Sequence, residues 1–271
     1  APHPTPHLLQ YWPDVPEVAA AGFSAYVPGS PHGAVALVLR TDEREVELRL
    51  DLPAEQLPEL EMFDALSTAT EHIRKLIADA PPGPVLAIGI RSASEAMLAM
   101  HTDVFGGREH VGFDIHPGLG VDVVGDAHRL AELVPNDHFA VVVSSSVLEH
   151  LAMPWIVAAE CAKVLRPGGL AIHLAPWTWP THAQPNDFWR MSSNGLRQLF
   201  GPATGFRVVA GGDVESAVII PTGPRRVDEI RMPTTASAST SWVAAEKVDD
   251  RARDLRWTYD ADEGATLARS Y

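Results

Sequence analysis

The chain has 271 residues, of which 46% are hydrophobic and 21% are charged, a composition typical of a soluble globular protein with one large domain or one domain and an appendage. Its formal net charge of −14 argues against a nucleic-acid partner, because neutralising phosphates requires clustered lysine and arginine, and the longest basic run is Arg225-Arg226. No apolar run approaches the ~20 residues of a membrane span, and the start resembles no signal peptide. We therefore expect a cytoplasmic protein with neither a membrane nor a nucleic acid as partner.

The first part of the chain is predicted to be an irregular arm followed by a β-hairpin. Residues 1–34 are rich in proline and glycine, and their aromatic side chains suggest docking on the main domain, on a second subunit in a homodimer, or over the substrate entrance. The runs Ala34–Arg40 and Glu45–Asp51 flank a polar turn, and the second run alternates apolar and polar residues. The predicted regions are residues 1–58 for arm and hairpin, 59–248 for the main domain and 249–271 for a tail.

The main domain is predicted to be an α/β fold. Helical spacing runs from Glu59 to Ala80, where the run Pro81–Pro84 ends it. Short apolar runs then alternate with helical or polar segments, which indicates βαβ units and a parallel sheet covered on both faces. The strands are predicted at Val85–Gly89, His110–Ile115, Val121–Val124, Phe139–Ser144 and Gly169–Ala175.

Helices and further strands complete this sheet. Helices are predicted from Ser92 or Ser94 to His101, from Pro154 to Leu165, and from Ser192 or Ser193 to Phe200. The single cysteine, Cys161, falls in the second of these and is expected to be a buried, inert thiol. Arg166–Gly169 is expected to be a sharp turn. Later strands are predicted at 206–210, 215–220 and 241–247, the last antiparallel, with a long loop at 221–240.

The polar residues at the strand ends are the candidate site, because ligands bind there in such sheets, near the topological switch point. Gly89 follows the first strand and allows close backbone approach, although Arg91 stands where a dinucleotide motif has its second glycine. Asp114 ends the second strand, where a carboxylate can accept hydrogen bonds from both hydroxyls of a ribose. Asp126 and His128 follow the short third strand, where they can meet an adenine edge. A plain turn glycine and solvated aspartates remain the alternatives.

These motifs, in this order, resemble a class I S-adenosylmethionine-dependent methyltransferase of the group called type 11. The resemblance covers residues 85–200, a little under half of the chain, and implies a Rossmann-like, mostly parallel sheet with S-adenosyl-L-methionine as cofactor. The matching stretches are Val85–Gly89, Val111–Asp114, Val121–His128, Phe139–Leu151, Val164–Gly169, His182–Arg190 and Gly195–Phe200.

The family pattern implies a role for each strand end. The turn at Gly89 would cradle the methionine part of the cofactor, and Asp114 would hold its ribose. Asp126 and Ala127 would meet the adenine, and Ser144 would lie beneath the methionine. The expected cofactor-binding residues are Gly89, Arg91, Ser92, Asp114, Ile115, Asp126, Ala127, His128, Ser144 and Ser145.

The glycine turn departs from the pattern at two positions. Ala87 stands where most members have an acidic residue, and Arg91 stands where they have a glycine. Arg91 is expected either to pair with the cofactor carboxylate, which a guanidinium fork matches, or to lie on the surface of the turn.

Three residues are candidates for catalysis. Methyl transfer from a sulfonium is an in-line displacement, so the protein mainly aligns the acceptor, and an oxygen acceptor benefits from a general base. His150 follows the fourth strand and is the first candidate base, with packing on the strand ends as the alternative. His182 is the second candidate, and Asp187 is expected to orient a histidine.

The loop at residues 177–190 is the predicted acceptor site. Its aromatic faces and mixed polar groups suit a sugar or a phenolic or polyketide-like natural product, although a structural pair between Arg190 and Asp187 is an alternative. The scattered histidines form no metal-binding motif, so no metal site is expected, and metal-assisted O-methylation remains a minor alternative. The expected acceptor contacts are Trp177, Trp179, Asn186, Trp189 and Arg190.

The leading hypothesis is a methyltransferase that acts on a small molecule at oxygen. The second is a methyltransferase-like fold that binds a ligand or partner without transferring methyl, which Ala87 and Arg91 in the turn support. The third is an NAD-dependent oxidoreductase, which the missing second glycine and the late antiparallel strand disfavour. Cofactor binding separates the three.

Overall fold

The computed structural model describes residues 35–40, 45–50, 63–219 and 235–255. The chain divides into two compact units, Ala1–Leu57 and Pro58–Tyr271. In the first unit, strand β1 (Val35–Arg40) pairs antiparallel with β2 (Glu45–Leu50), which confirms the predicted hairpin. The predicted arm at 1–34 and the tail from residue 256 onward lie outside the described residues.

The second unit is organised around a seven-stranded sheet. Six strands run in one direction, and β9 is antiparallel to its two neighbours, β7 and β8. The predicted α/β class with a late antiparallel strand is confirmed. In spatial order the strands are β5 (Val123–Val124), β4 (His110–Asp114), β3 (Val85–Ile88), β6 (Phe139–Ser145), β7 (Leu165–Pro176), β9 (Thr235–Lys247) and β8 (Phe206–Ile219).

Five α-helices belong to the described residues of this unit, and their ends follow the sequence signals. The side chain of Ser94 caps α2 by accepting from the amide of Met97, and that of Ser192 caps α5. Cys161 is fully buried in α4, where burial raises the pKa of its thiol. None of these helices is both long and apolar enough to cross a bilayer. Their bounds are α1 (Leu66–Asp79), α2 (Glu95–Asp103), α3 (Leu130–Leu133), α4 (Pro154–Val164) and α5 (Ser193–Leu199).

Strand β3 shows how the two faces of the sheet are covered. Side chains alternate along a strand, so neighbouring residues of β3 enter different apolar clusters. Leu86 and Ile88 are buried with side chains of α4 and α5, whereas Val85 and Ala87 are buried with side chains of α1. Helices therefore cover both faces, and the carboxyl ends of the strands are left for a site.

The helix predicted from Glu59 begins later than expected, at Leu66. Before it, the chain runs beside β8: the amide of Phe63 donates to the Ser216 hydroxyl at 2.8 Å, and Asp64 bridges Val214 in parallel. This long-range pairing competes with helix formation at residues 63–65.

The late strands are longer than predicted. β8 is one continuous strand where two were expected, because β9 pairs with it throughout and a register shift between Val208 and Ala210 absorbs the irregularity. β9 begins at Thr235 and not at 241, so part of the predicted loop at 221–240 is strand. The predicted turn Arg166–Gly169 is also drawn into a strand, β7, which starts at Leu165.

The switch point of the sheet lies at β3. The chain passes from β3 to β4 on one side and, after β5, crosses to β6 on the other side. The carboxyl ends of β3, β4 and β6 therefore meet at one edge, which is where ligands bind in open α/β sheets.

Lys247, buried at the end of β9, contacts the start of β7, the segment before β6 and the segment after β9. Its Nζ donates to the carbonyl of Leu165 at 2.7 Å and to Asp137 at 2.8 Å, and it lies 2.9 Å from Asp250.

Lys247→Met keeps the length of the side chain but removes the donor, so the carbonyl of Leu165 loses its partner. We expect urea denaturation to show a free energy of unfolding lower by about 1–3 kcal/mol. The exposed Lys75→Met on α1 is the matched control and should change it by under about 0.5 kcal/mol.

The same variant should change the acid dependence of stability. The hydrogen bond from Lys247 contributes most to holding the pKa of Asp137 below its ordinary value. A carboxyl whose pKa is lowered in the folded state stabilises the fold above its ordinary pKa and loses that contribution as the pH falls. The stability difference between the parent protein and Lys247→Met should therefore narrow below about pH 4. A difference that widens in acid would contradict this linkage.

Candidate active site

A cavity of about 300 Å³ opens at the carboxyl ends of the strands, next to the switch point. Its size is at the lower end of the range of small-molecule pockets, about 300–1,000 Å³. Four consecutive strand-to-helix segments and one side chain of the later loop form its wall. The lining residues are Ile88, Gly89, Arg91, Phe113, Asp114, Ile115, His116, Gly125, Asp126, Ala127, His128, Ser146, Val147, His150, Leu151, Ala152 and Phe188.

Gly89 is required by two features of the turn after β3. Its φ is +76°, which an L side chain rarely adopts, and a Cβ there would lie 2.2 Å from Cγ2 of Val147. Its amide donates to the carbonyl of Phe113 at 2.8 Å. The turn can therefore pass directly under Val147 and bring its backbone to the cavity wall.

Arg91 and Asp114 stand side by side on this wall. Nε of Arg91 lies 3.8 Å from Oδ1 of Asp114, and the stem of Arg91 covers Gly118. Oδ1 of Asp114 also accepts from the amide of His116 at 2.9 Å, and within the described part of the chain Oδ2 has no hydrogen bond. The Asp114 carboxylate is thus oriented by its neighbours and turned toward the cavity.

His128 braces the wall between β5 and α4. Its Nε2 accepts from the amide of Met153 at 3.2 Å, so the ring proton is on Nδ1, which lies 2.6 Å from Oδ1 of Asp126. The same oxygen accepts from the amide of His128 at 2.9 Å. The ring is held at both nitrogens, which fixes the shape of the wall beside Ala127.

Three expected cofactor residues lie away from the cavity. Ser92 is buried and donates to the carbonyl of Ile90. Ser144 is buried within β6, with its Oγ 2.7 Å from Nδ1 of His173 on β7. β6 continues through Ser145, so the chain enters the cavity only at Ser146, with a φ of +54°. The predicted strand ended at Ser144, one residue too early, so Ser146 and Val147 were not among the expected cofactor-binding residues.

His150 and His182 pack against each other at the far end of the cavity. Their rings are perpendicular, with centroids 4.9 Å apart, and only His150 reaches the wall. Nδ1 of His150 donates to the carbonyl of Asn186 at 2.6 Å. Nδ1 of His182 lies 3.2 Å from the carbonyl of Pro180. The carbonyl of Asn186 thus holds a proton on Nδ1 of His150, whereas Nδ1 of His182 lies between the carbonyl of Pro180 and Nη2 of Arg190, which is 3.5 Å away.

Glu149 lies behind this pair and is fully buried. Its Oε1 is 3.6 Å from Nε2 of His150 and 3.9 Å from Nε2 of His182, distances too long for hydrogen bonds. Neither carboxylate oxygen has a hydrogen-bond partner among the described residues. Burial, which disfavours the charged form, raises the pKa of this carboxyl above its ordinary value.

Asp187 and Arg190 form a two-bond fork inside the loop. Arg190 donates to both oxygens of Asp187 at 2.6 Å, and the amide of His182 donates to Oδ2 at 2.7 Å. The hydrogen bonds from Arg190 hold the pKa of Asp187 well below its ordinary value. Arg190 also donates to the carbonyls of Trp179 and Pro180. These groups shape the loop and do not line the cavity.

The other expected acceptor residues also act from outside the wall. Trp179 is exposed, and Trp177 is half-buried with its amide bonded to the carbonyl of Ser239. Trp189 donates its indole hydrogen to the carbonyl of Leu151 at 2.8 Å. Asn186 is buried and reaches the site through its carbonyl. The aromatic side chain that lines the cavity from this loop is Phe188, which was not among the expected acceptor contacts.

Comparison with known proteins gives one family match. Residues 92–173 match the family model of a methyltransferase domain, a stretch that contains most of the cavity wall. Comparison with curated proteins gives no match.

The chain is also similar to solved structures. One is a SAM-dependent methyltransferase from Archaeoglobus fulgidus, at 16% identity over 67% of this chain and 94% of that chain, with a TM-score of 0.45. Another is the YcgJ protein from Bacillus subtilis, at 15% identity over 68% of this chain and 99% of that chain, with a TM-score of 0.46. At sequence identities and TM-scores this low, nothing further is concluded from the similarity.

The family match covers the strand ends after β4, β5 and β6, which form the cavity. The sheet around them is mostly parallel, with the antiparallel β9 between β7 and β8. Residues 92–173 are thus similar to a methyltransferase domain, and most of the cavity wall lies in this stretch.

Proposed function

We propose that this enzyme methylates a hydroxyl oxygen of a neutral small molecule, a sugar or a phenolic natural product, at the His150 end of the cavity. The single observation that carries the proposal is the arrangement of the cavity. A carboxylate oriented for a ribose, Asp114, stands at one end, and an imidazole with a fixed tautomer, His150, stands at the other.

The residues at the β3, β4 and β5 ends fit the cofactor. Asp114 presents an oxygen without a protein hydrogen bond, which can accept from the ribose hydroxyls. Ile115 and Ala127 give flat apolar contact for an adenine, and Gly89 brings bare backbone to the wall. When bound, the cofactor supplies a methyl group on a positively charged sulfur, a good leaving group. Arg91, beside Asp114, is the candidate partner of its carboxylate.

The character of the acceptor follows from the charges on the wall. Among the described residues that line the cavity, the one lysine or arginine is Arg91, on the cofactor side. Arg190 is engaged by Asp187 and by loop carbonyls, so it offers little to an anionic acceptor. Phe188 and Leu151 provide apolar contact beside His150. This combination suits a neutral acceptor with a ring and hydroxyl groups.

His150 can activate such a hydroxyl directly. Its Nδ1 proton is held by Asn186, so Nε2 can take the hydroxyl proton as the oxygen bonds the methyl carbon. General-base help of this kind is worth about 100- to 10,000-fold, and alignment by the cavity walls supplies the larger part of the rate. Asp187 acts at a distance, by holding the loop that carries His182 and Asn186.

Asp114→Ala should weaken binding of S-adenosylhomocysteine, because the ribose hydroxyls lose a charged acceptor. We expect a loss of about 1–3 kcal/mol, roughly 5- to 150-fold in Kd, by calorimetric titration. Asp79→Ala, on the exposed end of α1, is the matched control and should bind as the parent does. Equal affinity of Asp114→Ala and the parent, with both folded, would remove Asp114 from the cofactor site.

His150→Ala should abolish most methyl transfer while leaving cofactor affinity unchanged. The assay follows transfer of labelled methyl from S-adenosylmethionine to a panel of phenols and glycosides. With an active acceptor, kcat should fall about 100-fold or more. His138→Ala, an exposed histidine before β6, is the control. A parent protein that binds S-adenosylhomocysteine but methylates no hydroxyl in the panel would count against this acceptor class.

A further inference from the structure

The role of His150 as a base does not explain why the carboxylate of Glu149 is buried behind it. It is fully buried, and neither oxygen has a hydrogen-bond partner among the described residues. Burying a carboxylate without a partner costs several kcal/mol, and such a group normally pairs with a cation or binds a metal. Oε1 lies 3.6 Å from Nε2 of His150 and 3.9 Å from Nε2 of His182, too far for a hydrogen bond to either ring. The carboxylate and the two imidazoles therefore bring three potential ligand atoms together.

The geometry of these donors is that of an open metal site. One ligand atom each from Glu149, His150 and His182 lie within 4.8 Å of one another. Around a tetrahedral ion with bonds of about 2.0–2.1 Å, such atoms are about 3.3 Å apart, so they need to close by about 1.5 Å at most. His150 and His182 are both partly exposed, so an ion can reach the site from the cavity side.

Each histidine is also held as a metal-binding histidine is held. Metal-ligating imidazoles almost always donate their second ring hydrogen to a carbonyl or carboxylate, which fixes the tautomer. Nδ1 of His150 is bonded to the carbonyl of Asn186, and Nδ1 of His182 faces the carbonyl of Pro180 and, at 3.4 Å, Asp187. Asp187 itself is not available as a ligand, because Arg190 and the amide of His182 occupy its oxygens.

We propose that Glu149, His150 and His182 bind one divalent transition-metal ion, with zinc as the type. Two imidazoles and one carboxylate favour a first-row transition metal over magnesium or calcium, which prefer oxygen ligands throughout. Three protein ligands leave a position open toward the cavity. No metal-binding motif is visible in the sequence because the three residues come from two segments, the short turn after β6 and the loop after β7.

The role of the ion in methyl transfer rests on the proposed function. Binding of the ion to the three residues is independent of that function. An acceptor hydroxyl in the open position loses its proton to solvent more readily, since a bound cation lowers the pKa of a coordinated oxygen by several units. That oxygen then uses an electron pair to bond the methyl carbon, and the pair of the broken carbon–sulfur bond returns to sulfur. With the ion bound, His150 is a metal ligand, and the ion takes over the activation of the hydroxyl that His150 would otherwise perform as a base.

The first test is zinc binding by the full chain, freed of metal with a chelator, in calorimetric titration without cofactor or acceptor. We expect one tight site per chain. Removing a residue that only hydrogen-bonds a metal ligand costs about 10- to 100-fold in metal affinity. Loss of a ligand itself should cost more, so Glu149→Gln and His182→Ala should each weaken zinc binding about 100-fold or more. Glu132→Gln, an exposed glutamate on α3, is the matched control. Equal zinc affinity in the parent, Glu149→Gln and His182→Ala would overturn the site.

A second readout separates a lost ligand from a damaged fold. Without metal, Glu149→Gln should be at least as stable as the parent, because it removes a buried unpaired charge and keeps the shape. Zinc should then raise the melting temperature of the parent but not that of the variant. Cobalt should give visible absorption bands in the parent that are absent in Glu149→Gln; absence of these bands from the parent as well would overturn the site.

The role in transfer is tested with an acceptor that the parent methylates. Removal of the ion should lower kcat by about tenfold or more without changing the affinity for S-adenosylhomocysteine, and zinc or cobalt should restore it. Unchanged kcat after metal removal, in a protein that binds zinc tightly, would overturn the role in transfer. Failure of the parent to methylate any hydroxyl would instead count against the proposed function.

Discussion

The fork between Asp187 and Arg190 is the interaction on which the His150 end of the cavity depends. Its two short bonds, together with those from Arg190 to the carbonyls of Trp179 and Pro180, fold the loop after β7 back on itself. The amides of Phe188 and Trp189 then reach the carbonyl of Glu149. A salt bridge outside the cavity therefore positions Phe188 on the wall and sets the carbonyl of Asn186 against His150.

The two ends of the cavity are built by different physical means. The end formed by the turns after β3, β4 and β5 uses backbone, since Gly89 passes under Val147 and the amides of His116 and His128 orient Asp114 and Asp126. The other end uses side chains held by a loop, with His182 packed on His150 and Glu149 buried behind them. The backbone end is therefore fixed by the sheet itself, whereas the shape of the loop end depends on the side chains of the loop at residues 177–190.

Local pattern was enough to predict the sheet and the position of most of the cofactor wall. Apolar runs ended near the true strand ends, so Gly89, Asp114 and Asp126 were found as residues that follow strands. Ser144 was misplaced because β6 runs one residue further, and a hydrogen-bonding histidine on the adjacent strand keeps that side chain inside. The continuity of β8 depends on pairing with β9, which no local pattern reports.

The arrangement around Glu149 could not be predicted for a similar reason. In the sequence, Glu149 and His150 are adjacent and His182 is far along the chain, so no metal-type spacing is visible. Their meeting depends on the fork that closes the loop, a contact between side chains and carbonyls. The burial of Glu149 and the lack of a hydrogen-bond partner are likewise properties of the folded chain.

The short segment before α1 has a consequence for the behaviour of the protein in concentrated solution. An unpaired sheet edge is a template on which another chain can add, and β8 is an outer strand of 14 residues. Asp64 bridges Val214 near its middle, the amide of Glu215 donates to the carbonyl of Asp64, and Glu215 has a φ of +60° that breaks the regular edge. At the opposite margin, β5 has only two residues. Edge-to-edge polymerisation is thereby discouraged at both margins of the sheet.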